Sequence, residues 1–181
     1  MRRSVIVLTV AVASAAVLGP VLTAMPARFV WNASASAPIG LYRIADGGPF
    51  LTNDLVAVKL PEPLATFLAD RAYLPKGVLL LKRILAFPGQ TVCRNRLMVS
   101  VDGNDVGVAL GRDRAGRELP SWQGCRRIPV GAVFLMNRLV PDSLDGRYFG
   151  PLTTDHIIGR AVPLWTDEQR DGHFEWRARA R

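Results

Sequence analysis

Histidine and cysteine are scarce in this chain, which has two of each among its 181 residues. The two cysteines, Cys93 and Cys125, are too few to complete a structural zinc site, and we expect neither a metal nor a cofactor. Two thiols in an oxidising compartment more often pair than stay free, so we expect a disulfide between them. The histidines are His156, directly after Asp155, and His173, in a basic C-terminal tail. Because chain termini are poorly ordered, a serine-histidine-aspartate triad would have to use His156.

Acidic residues are few relative to basic ones, 15 against 23, which gives a formal net charge of +8 and an isoelectric point near 10.5. The basic residues are dispersed, and no predicted helix carries a basic stripe interleaved with aromatic residues. We therefore expect no nucleic-acid partner, and attraction to anionic lipid head groups explains the charge equally well. The densest positive charge lies in Arg170–Arg181, which we interpret as a solvated, frayed terminus.

The N-terminal segment Ser4–Met25 contains no charged residue. At about 1.5 Å per residue a helix of this length spans roughly 33 Å, which is enough to cross the hydrocarbon core of a bilayer once. The two arginines before it favour a cytoplasmic N-terminus. We predict a membrane anchor over residues 1–27, one domain over 28–168 outside the cytoplasm, and a basic tail over 169–181. A cleaved secretory signal is the alternative, since basic residues followed by an apolar core describe both.

Strand signals dominate after this segment and indicate a mainly β domain. Helical spacing of apolar residues occurs once, over Glu62–Leu74, and Pro75 and Gly77 end it. We expect Gly111–Gly124, which is rich in Arg, Gly and Asp, to be an exposed loop. The Asp102-Gly103 dipeptide predicts a hairpin turn. Apolar or alternating runs bounded by turn residues predict strands over Gly40–Ile44, Asp54–Leu60, Val78–Phe87, Leu97–Val101, Val106–Leu110, Ala132–Asn137 and Ile157–Trp165.

Lys82 lies inside the apolar run Val78–Phe87. If this run is extended, Lys82 shares a face with apolar residues alone, whereas Arg83 points to the opposite face. Full burial disfavours the ammonium and lowers the pKa of a lysine by on the order of 3 to 5 units. A neutral lysine is a base that can activate a serine hydroxyl, and Ser36 is the candidate nucleophile. The alternative is that the stem of Lys82 runs along the sheet and its ammonium reaches water at an edge.

Three segments together resemble a known family: Asn32–Tyr42 (NASASAPIGLY), Leu81–Cys93 (LKRILAFPGQTVC) and Pro141–Gly150 (PDSLDGRYFG). In order and spacing they resemble the conserved boxes of the type I signal peptidases, family S26, and most closely those of the conjugative-transfer TraF branch. The resemblance implies a single N-terminal transmembrane helix followed by a mostly antiparallel β periplasmic domain of the signal peptidase type. It also implies a serine endopeptidase of the bacterial inner membrane that processes exported precursors.

The resemblance further implies roles for individual residues. The nucleophile of the first box falls on Ser36, and the general base before the Phe-Pro-Gly-like turn falls on Lys82. The serine two residues before the nucleophile, Ser34, is implied as an oxyanion-hole donor, and in an extended segment residues i and i+2 share a face. Read without the resemblance, Ser34 is equally a polar linker residue. The third box supplies a serine that orients the lysine and an acidic-basic structural pair: Ser143, Asp145 and Arg147.

The implied substrate is the conjugative pilin precursor, cleaved by hydrolysis or with pilin cyclisation, and the implied partners are membrane lipid and mating-pair formation proteins. Leader peptidases of the general type carry Ser-Met-x-Pro and Gly-Asp-Asn, whereas this chain has Ser36-Ala37-Pro38 and Asn137-Arg138-Leu139. Both departures suit the TraF branch better than a housekeeping signal peptidase. A non-catalytic envelope or mating-pair assembly factor with the same fold remains an alternative. A cytoplasmic self-cleaving repressor is disfavoured by the predicted anchor and by the lack of a helix-turn-helix segment.

Overall fold

The computed structural model describes residues 2–22 and 28–177. Every strand pairing in these residues is antiparallel, which confirms the expected mainly β, antiparallel fold. The elements in chain order are α1 (Arg2–Leu22), β1 (Phe29–Asn32), β2 (Ile39–Ala45), β3 (Leu55–Val58), α2 (Glu62–Asp70), β4 (Leu80–Ala86), β5 (Thr91–Asn95), β6 (Met98–Val101), β7 (Asn104–Val108), β8 (Gly124–Arg127), β9 (Ala132–Leu135), α3 (Gly146–Phe149), β10 (Leu152–Thr153), a 3-10 turn (Thr154–His156), β11 (Ile157–Asp167) and β12 (Glu175–Trp176).

The larger sheet has the strand order β1-β2-β11-β3-β4-β9-β10, and β12 pairs with β11. Its middle strands β3, β4 and β9 are buried along almost their whole length, which explains their nearly continuous apolar sequences. Gly40 lets β2 approach β11, since a Cβ at this position would lie 2.2 Å from the carbonyl oxygen of Trp165. Buried side chains from these strands form two of the three core clusters.

The smaller sheet has the order β7-β6-β5-β8 and packs on a third core cluster. The predicted hairpin is confirmed, and Asp102 and Gly103 both adopt the positive φ of a tight hairpin turn, at 48° and 81°. The predicted loop 111–124 is not exposed throughout. Trp122 inserts into the third core cluster and donates a hydrogen bond from Nε1 to the carbonyl oxygen of Gly146 at 3.1 Å.

Two predicted boundaries are wrong. Helix α2 ends at Asp70 rather than Leu74, because Ala72 adopts a positive φ of 56° and the chain turns back on the helix. The segment after residue 168 is not a frayed tail throughout, since β12 pairs with β11 and the ring of Phe174 lies 4.8 Å from that of Trp165. The folded domain thus extends through these residues, and residues 178–181 of the predicted tail lie outside the described part.

The N-terminal residues form helix α1 (Arg2–Leu22). Within residues 2–22 and 28–177 no helix is both long enough and apolar enough to cross a membrane, which differs from the helix predicted over Ser4–Met25. Residue 1 and residues 23–27 of the predicted anchor lie outside the described residues.

Candidate active site

Ser36 lies in the turn that connects β1 to β2, and the buried side chain of Asn32 holds this turn together. Asn32 Nδ2 donates hydrogen bonds to the carbonyl oxygens of Ser34 at 2.9 Å, Ala37 at 3.1 Å and Pro38 at 2.9 Å. Its Oδ1 accepts from the backbone N–H of Ser34 at 3.1 Å. One amide side chain thus closes a loop whose backbone groups have no strand partners, as Asn commonly does in turns.

The two serines of this turn contact each other. Ser34 Oγ and Ser36 Oγ lie 3.0 Å apart, and Ser34 Oγ donates to Asn32 Oδ1 at 3.0 Å. Because a hydroxyl has a single hydrogen, Ser36 is the donor in the bond between the serines. The expectation of an extended segment is wrong here, since residues 34–37 form a turn, yet the turn still brings the two hydroxyls to the same place.

Lys82 is 1% exposed in the middle of β4, opposite Val56 of β3. Its Nζ donates a 2.7 Å hydrogen bond to Ser143 Oγ, and so the lysine does not reach water at a sheet edge. Burial lowers the pKa of Lys82 to about 8, because desolvation disfavours the ammonium. The negative charge of Asp145 opposes this shift in part, and the positive charge of Arg147 adds to it.

Arg147 and Asp145 form a buried ion pair under the loop that carries Ser143. Arg147 Nε lies 2.9 Å from Asp145 Oδ1, and Nη2 lies 2.9 Å from Oδ2, so the contact is bidentate. The guanidinium also donates to the carbonyl oxygens of Val140 at 2.8 Å, Pro141 at 2.9 Å and Ser143 at 3.0 Å. The pair therefore shapes residues 140–143 and, through them, the position of the hydroxyl that Lys82 contacts.

Asn137, just past the end of β9, contacts both the Ser36 turn and the Lys82 strand. Its Nδ2 donates to the carbonyl oxygens of Ser36 and, at 3.3 Å, of Leu81, and its Oδ1 accepts from the backbone N–H of Arg83 at 2.9 Å. Sequence reasoning assigned no role to Asn32 or Asn137. The signals that could have found them were the position of Asn32 at the start of the first box and the replacement of a Gly-Asp-Asn motif at 137–139.

Ser36 lines an open cleft of about 750 Å³. Within the described residues no hydrogen bond joins Ser36 to Lys82, and Arg83 rather than Lys82 contributes to the cleft wall. The cleft is lined by apolar, polar and charged side chains from five parts of the chain: Ser36, Ala37, Pro38, Asn53, Leu55, Arg83, Met136, Asn137, Arg138, Leu139, Val140, Glu168, Gln169, Arg170 and Glu175.

Neither histidine lines this cleft. His156 ends the 3-10 turn before β11, and His173 lies beside Asp171 with a side chain that is 89% exposed. The structure therefore does not bring His156 to Ser36, as a serine-histidine-aspartate triad would require.

Cys93 and Cys125 form a disulfide between β5 and β8, where they are direct strand partners. Neither cysteine is among the residues that line the cleft. In the part of the chain that the structure describes, no group of three or more His, Cys, Asp or Glu side chains is placed to hold a metal ion.

A family model described as "Signal peptidase, peptidase S26" matches residues 1–165. The chain therefore belongs to the signal peptidases of family S26, and membership implies a serine peptidase.

Three relatives cover most of this chain. The conjugal transfer protein TraF of Agrobacterium fabrum is 29% identical over 179 residues, which is 92% of this chain and 98% of that protein. The probable conjugal transfer protein TraF of Sinorhizobium fredii is 32% identical over 176 residues, 91% of this chain and 92% of that protein.

The third relative is the plasmid transfer protein TraF of Escherichia coli, 28% identical over 146 residues, 75% of this chain and 81% of that protein. Among solved structures, a signal peptidase I from Enterococcus faecalis matches 64% of this chain and 98% of its own. Its sequence identity to this chain is 19% and the TM-score is 0.38.

Proposed function

We propose that this protein is a serine endopeptidase in which Ser36 is the nucleophile and Lys82 is the general base. The observation that supports this most directly is the complete burial of Lys82, which lowers its pKa to about 8. A lysine with an ordinary pKa near 10.4 is almost entirely charged at neutral pH, whereas this one is neutral in roughly a tenth of the molecules at pH 7. A buried lysine in the family's base position thus has the property that the chemistry requires.

The first half of the reaction forms an acyl-enzyme. Neutral Lys82 takes the proton of the Ser36 hydroxyl, Ser36 Oγ bonds to the carbonyl carbon of the scissile peptide, and Lys82 then gives the proton to the leaving amine as the C–N bond breaks. In the structure Ser36 donates to Ser34 instead, so its hydroxyl must turn away from Ser34 toward Nζ. Such catalytic hydrogen bonds often form only when substrate is bound.

The carbonyl oxygen becomes negatively charged during the attack and needs donors at about 2.7 to 3.1 Å. The backbone N–H of Ser36 and the hydroxyl of Ser34 are the candidate donors. Ser34 Oγ already lies 3.0 Å from Ser36 Oγ, and its hydrogen points to Asn32 Oδ1. Rotation of the Ser34 hydroxyl would move its hydrogen bond from Asn32 Oδ1 to the oxyanion.

The second half of the reaction releases the product. Lys82 takes a proton from a second nucleophile, which bonds to the acyl carbon as the bond to Ser36 Oγ breaks and Ser36 regains its proton. Water gives hydrolysis, and the amino terminus of the substrate itself would give a cyclic product. Both use the same acyl-enzyme and differ only in which nucleophile arrives second.

We propose the precursor of a conjugative pilin as the substrate, because three relatives that cover 75% to 92% of this chain are named for conjugal or plasmid transfer. Membrane lipid and mating-pair formation proteins are the partners that this role implies. A housekeeping signal peptidase is the alternative within the same chemistry, and the shorter Ser36-Ala37-Pro38 box argues against it.

We further propose an inner-membrane location with the β domain in the periplasm. Two observations support it: residues 4–25 carry no charge, and Cys93 and Cys125 form a disulfide, which persists in oxidising compartments. Fractionation of cells, combined with alkaline phosphatase fused after residue 177, tests the proposal. Recovery of the full-length protein in the cytoplasmic fraction, or an inactive phosphatase fusion, would reject it.

The experiment that tests the function is coexpression of the protein with the pilin precursor of its conjugation system, followed by mass spectrometry of the pilin. Ser36→Ala and Lys82→Ala should each leave the precursor uncleaved. The matched controls are Ser121→Ala and Lys76→Ala, which remove the same groups from exposed positions outside the cleft and should cleave normally.

Circular dichroism of each purified variant shows whether it folds. A folded Lys82→Ala protein that cleaves at the normal rate contradicts the dyad. A precursor that stays uncleaved beside the intact wild-type protein favours the non-catalytic assembly factor instead.

A further inference from the structure

Asn137 is the one residue whose side chain bonds to both the nucleophile's turn and the strand of the general base within the described residues. Its side-chain amide donates to the carbonyl oxygen of Ser36 and accepts from the N–H of Arg83, the residue after Lys82. The residue is 5% exposed, so water competes little for these bonds. The two segments that it joins are far apart in sequence, and strands β11 and β3 lie between β2, which follows the Ser36 turn, and β4 in the larger sheet.

The side chain of Asn137 makes the hydrogen bonds to β4 that the backbone of one more residue of β9 would make. Strand β9 pairs with β4 through Leu135 and Ile84, and the N–H of Met136 donates to the carbonyl oxygen of Arg83 at 2.9 Å. Beyond this point the chain turns away from the sheet. The amide of Asn137 then supplies the donor for Leu81 and the acceptor for Arg83, the two backbone groups that flank Lys82 on this edge.

The contact with Ser36 is not needed for that pairing. An amide that only completed the edge of β4 would require the bonds to Leu81 and Arg83 and nothing more. Instead Nδ2 also donates to the carbonyl oxygen of the nucleophile itself. Because the amide is planar and its three bonds converge on one group, the carbonyl of Ser36 is held at a defined position relative to the backbone of Lys82.

We propose that Asn137 is a positioning residue that holds Ser36 in reach of Lys82. The inference rests on the proposed function, in which these two residues react together. It explains how a nucleophile and a base that share no hydrogen bond in the structure are kept aligned. The Ser36 turn is exposed on one side of the cleft, and within the described residues its bond to Asn137 is the one side-chain hydrogen bond between the Ser36 carbonyl and the β4–β9 part of the sheet.

The kinetic test compares wild type with Asn137→Asp and Asn137→Ala. Asp keeps the side-chain volume and the acceptor for the N–H of Arg83 but loses the donor to Ser36. Ala loses both the acceptor and the donor. We expect kcat on the pilin precursor to fall about 100-fold in both variants, because small misplacements of reacting groups cost on that order, with KM changed less than threefold. Asn137→Gln restores the amide on a longer stem and should recover part of kcat.

Val133→Ala is the matched control, since Val133 is a buried residue of strand β9, the strand that precedes Asn137, and does not line the cleft. It should lower the melting temperature while leaving kcat within twofold of wild type. If Asn137→Asp and Val133→Ala have the same melting temperature and lose kcat equally, then Asn137 acts only by stabilising the fold and the proposal is wrong. A rise in KM with unchanged kcat would also overturn the proposal.

A second measurement does not depend on peptidase activity. The thiol introduced by Ser36→Cys should react with iodoacetamide at a lower pH than an ordinary thiol of pKa about 8.5, because a nearby ammonium stabilises the thiolate. Adding Asn137→Ala should move the midpoint of this reaction toward the ordinary value, and adding Val133→Ala should not. The charged residues around the cleft are the same in all of these proteins: Arg83, Arg138, Glu168, Arg170 and Glu175.

The two measurements separate the inference from the proposed function. If the wild-type protein cleaves nothing but the thiol midpoint shifts with Asn137→Ala, the positioning role stands and the assigned reaction is wrong. If the wild-type protein cleaves and neither kcat nor the thiol midpoint responds to Asn137→Ala, the positioning role is wrong and the assigned reaction stands.

Discussion

Lys82 Nζ donates a 2.7 Å hydrogen bond to Ser143 Oγ inside the protein. A neutral lysine amine has two N–H groups and one lone pair, so a bond in which the amine is the donor leaves the lone pair free for a second partner. Arg147 holds the carbonyl oxygen of Ser143 at 3.0 Å, which limits how far this hydroxyl can move. The contact thus holds the amine of Lys82 beside a hydroxyl whose backbone is itself fixed by Arg147.

The first prediction concerns the dependence of activity on pH. Burial lowers the pKa of Lys82 to about 8, so the neutral, active form gains population as the pH rises. We expect kcat/KM on a peptide that spans the cleavage site to rise about tenfold per pH unit below this value and to level off above it. The same profile should appear in His156→Ala, because His156 does not line the cleft. A folded His156→Ala protein without activity would overturn the Ser36 and Lys82 assignment.

The second prediction is that the buried Lys82 lowers the stability of the fold. The pKa of Lys82 is about 8 in the folded protein and near 10.4 in the unfolded chain, so the unfolded state binds more protons between these values and stability rises with pH across them. Lys82→Met keeps most of the length of the side chain and removes the charge, and should raise the free energy of unfolding at pH 7 by up to about 3 kcal/mol. Urea unfolding at pH 7 and pH 10 measures this difference in stability between Lys82→Met and wild type, which should be smaller at pH 10. If Lys82→Met is no more stable than wild type at pH 7, then burial of the charged amine is not the cause of the lowered pKa.

The third prediction concerns Ser34. Removing one oxyanion donor costs roughly 3 kcal/mol in transition-state stabilisation, which is about 100-fold in kcat. Ser34→Ala should show this loss with KM nearly unchanged, whereas Ser34→Thr retains the hydroxyl and should lose less. Ser121→Ala, at an exposed position outside the cleft, serves as the control. A Ser34→Ala rate within twofold of wild type would remove Ser34 from the oxyanion hole.

The fourth prediction concerns the ion pair beneath the Ser143 loop. Arg147 is 1% exposed and Asp145 is 0% exposed, and Arg147→Met would leave a buried carboxylate without its partner. Loss of one partner from a buried pair costs about 3 to 5 kcal/mol, which urea unfolding can measure. Arg147→Lys keeps the charge but cannot bind the carboxylate and three carbonyl oxygens together, so it should also destabilise the fold. A change below about 1 kcal/mol in both variants would show that the pair is dispensable.

The fifth prediction concerns the disulfide. The bond between Cys93 and Cys125 closes a loop with a sequence separation of 32 residues. The chain-entropy model gives roughly 3 to 4 kcal/mol for a loop of this size, and replacing both cysteines by alanine should lower stability by about that amount. Because neither residue lines the cleft, kcat per folded molecule should not change. Full labelling of both thiols under denaturing, non-reducing conditions would show that the bond is absent from the native protein.

Local patterns in the sequence predicted the strand around Lys82, the hairpin at Asp102-Gly103 and the mainly β fold. These features follow from side-chain periodicity and turn chemistry, which act over a few residues and can be read directly. The resemblance to the signal peptidases, carried by three short segments, identified the family and the candidate site residues. The apolar run around Lys82 also indicated that this side chain could be buried, since an extended Lys82 shares its face with apolar residues alone.

Contacts between distant parts of the chain were decided by the tertiary structure alone. The pairing of β12 with β11, the insertion of Trp122 into the core and the reach of Asn137 to both Ser36 and the strand of Lys82 each join segments that are far apart in sequence. No local rule predicts which polar side chain completes the edge of a strand, because that depends on where another chain segment turns away from the sheet. The sequence therefore identifies the candidate nucleophile and base, and only the tertiary structure determines which side chain contacts the segments that carry them.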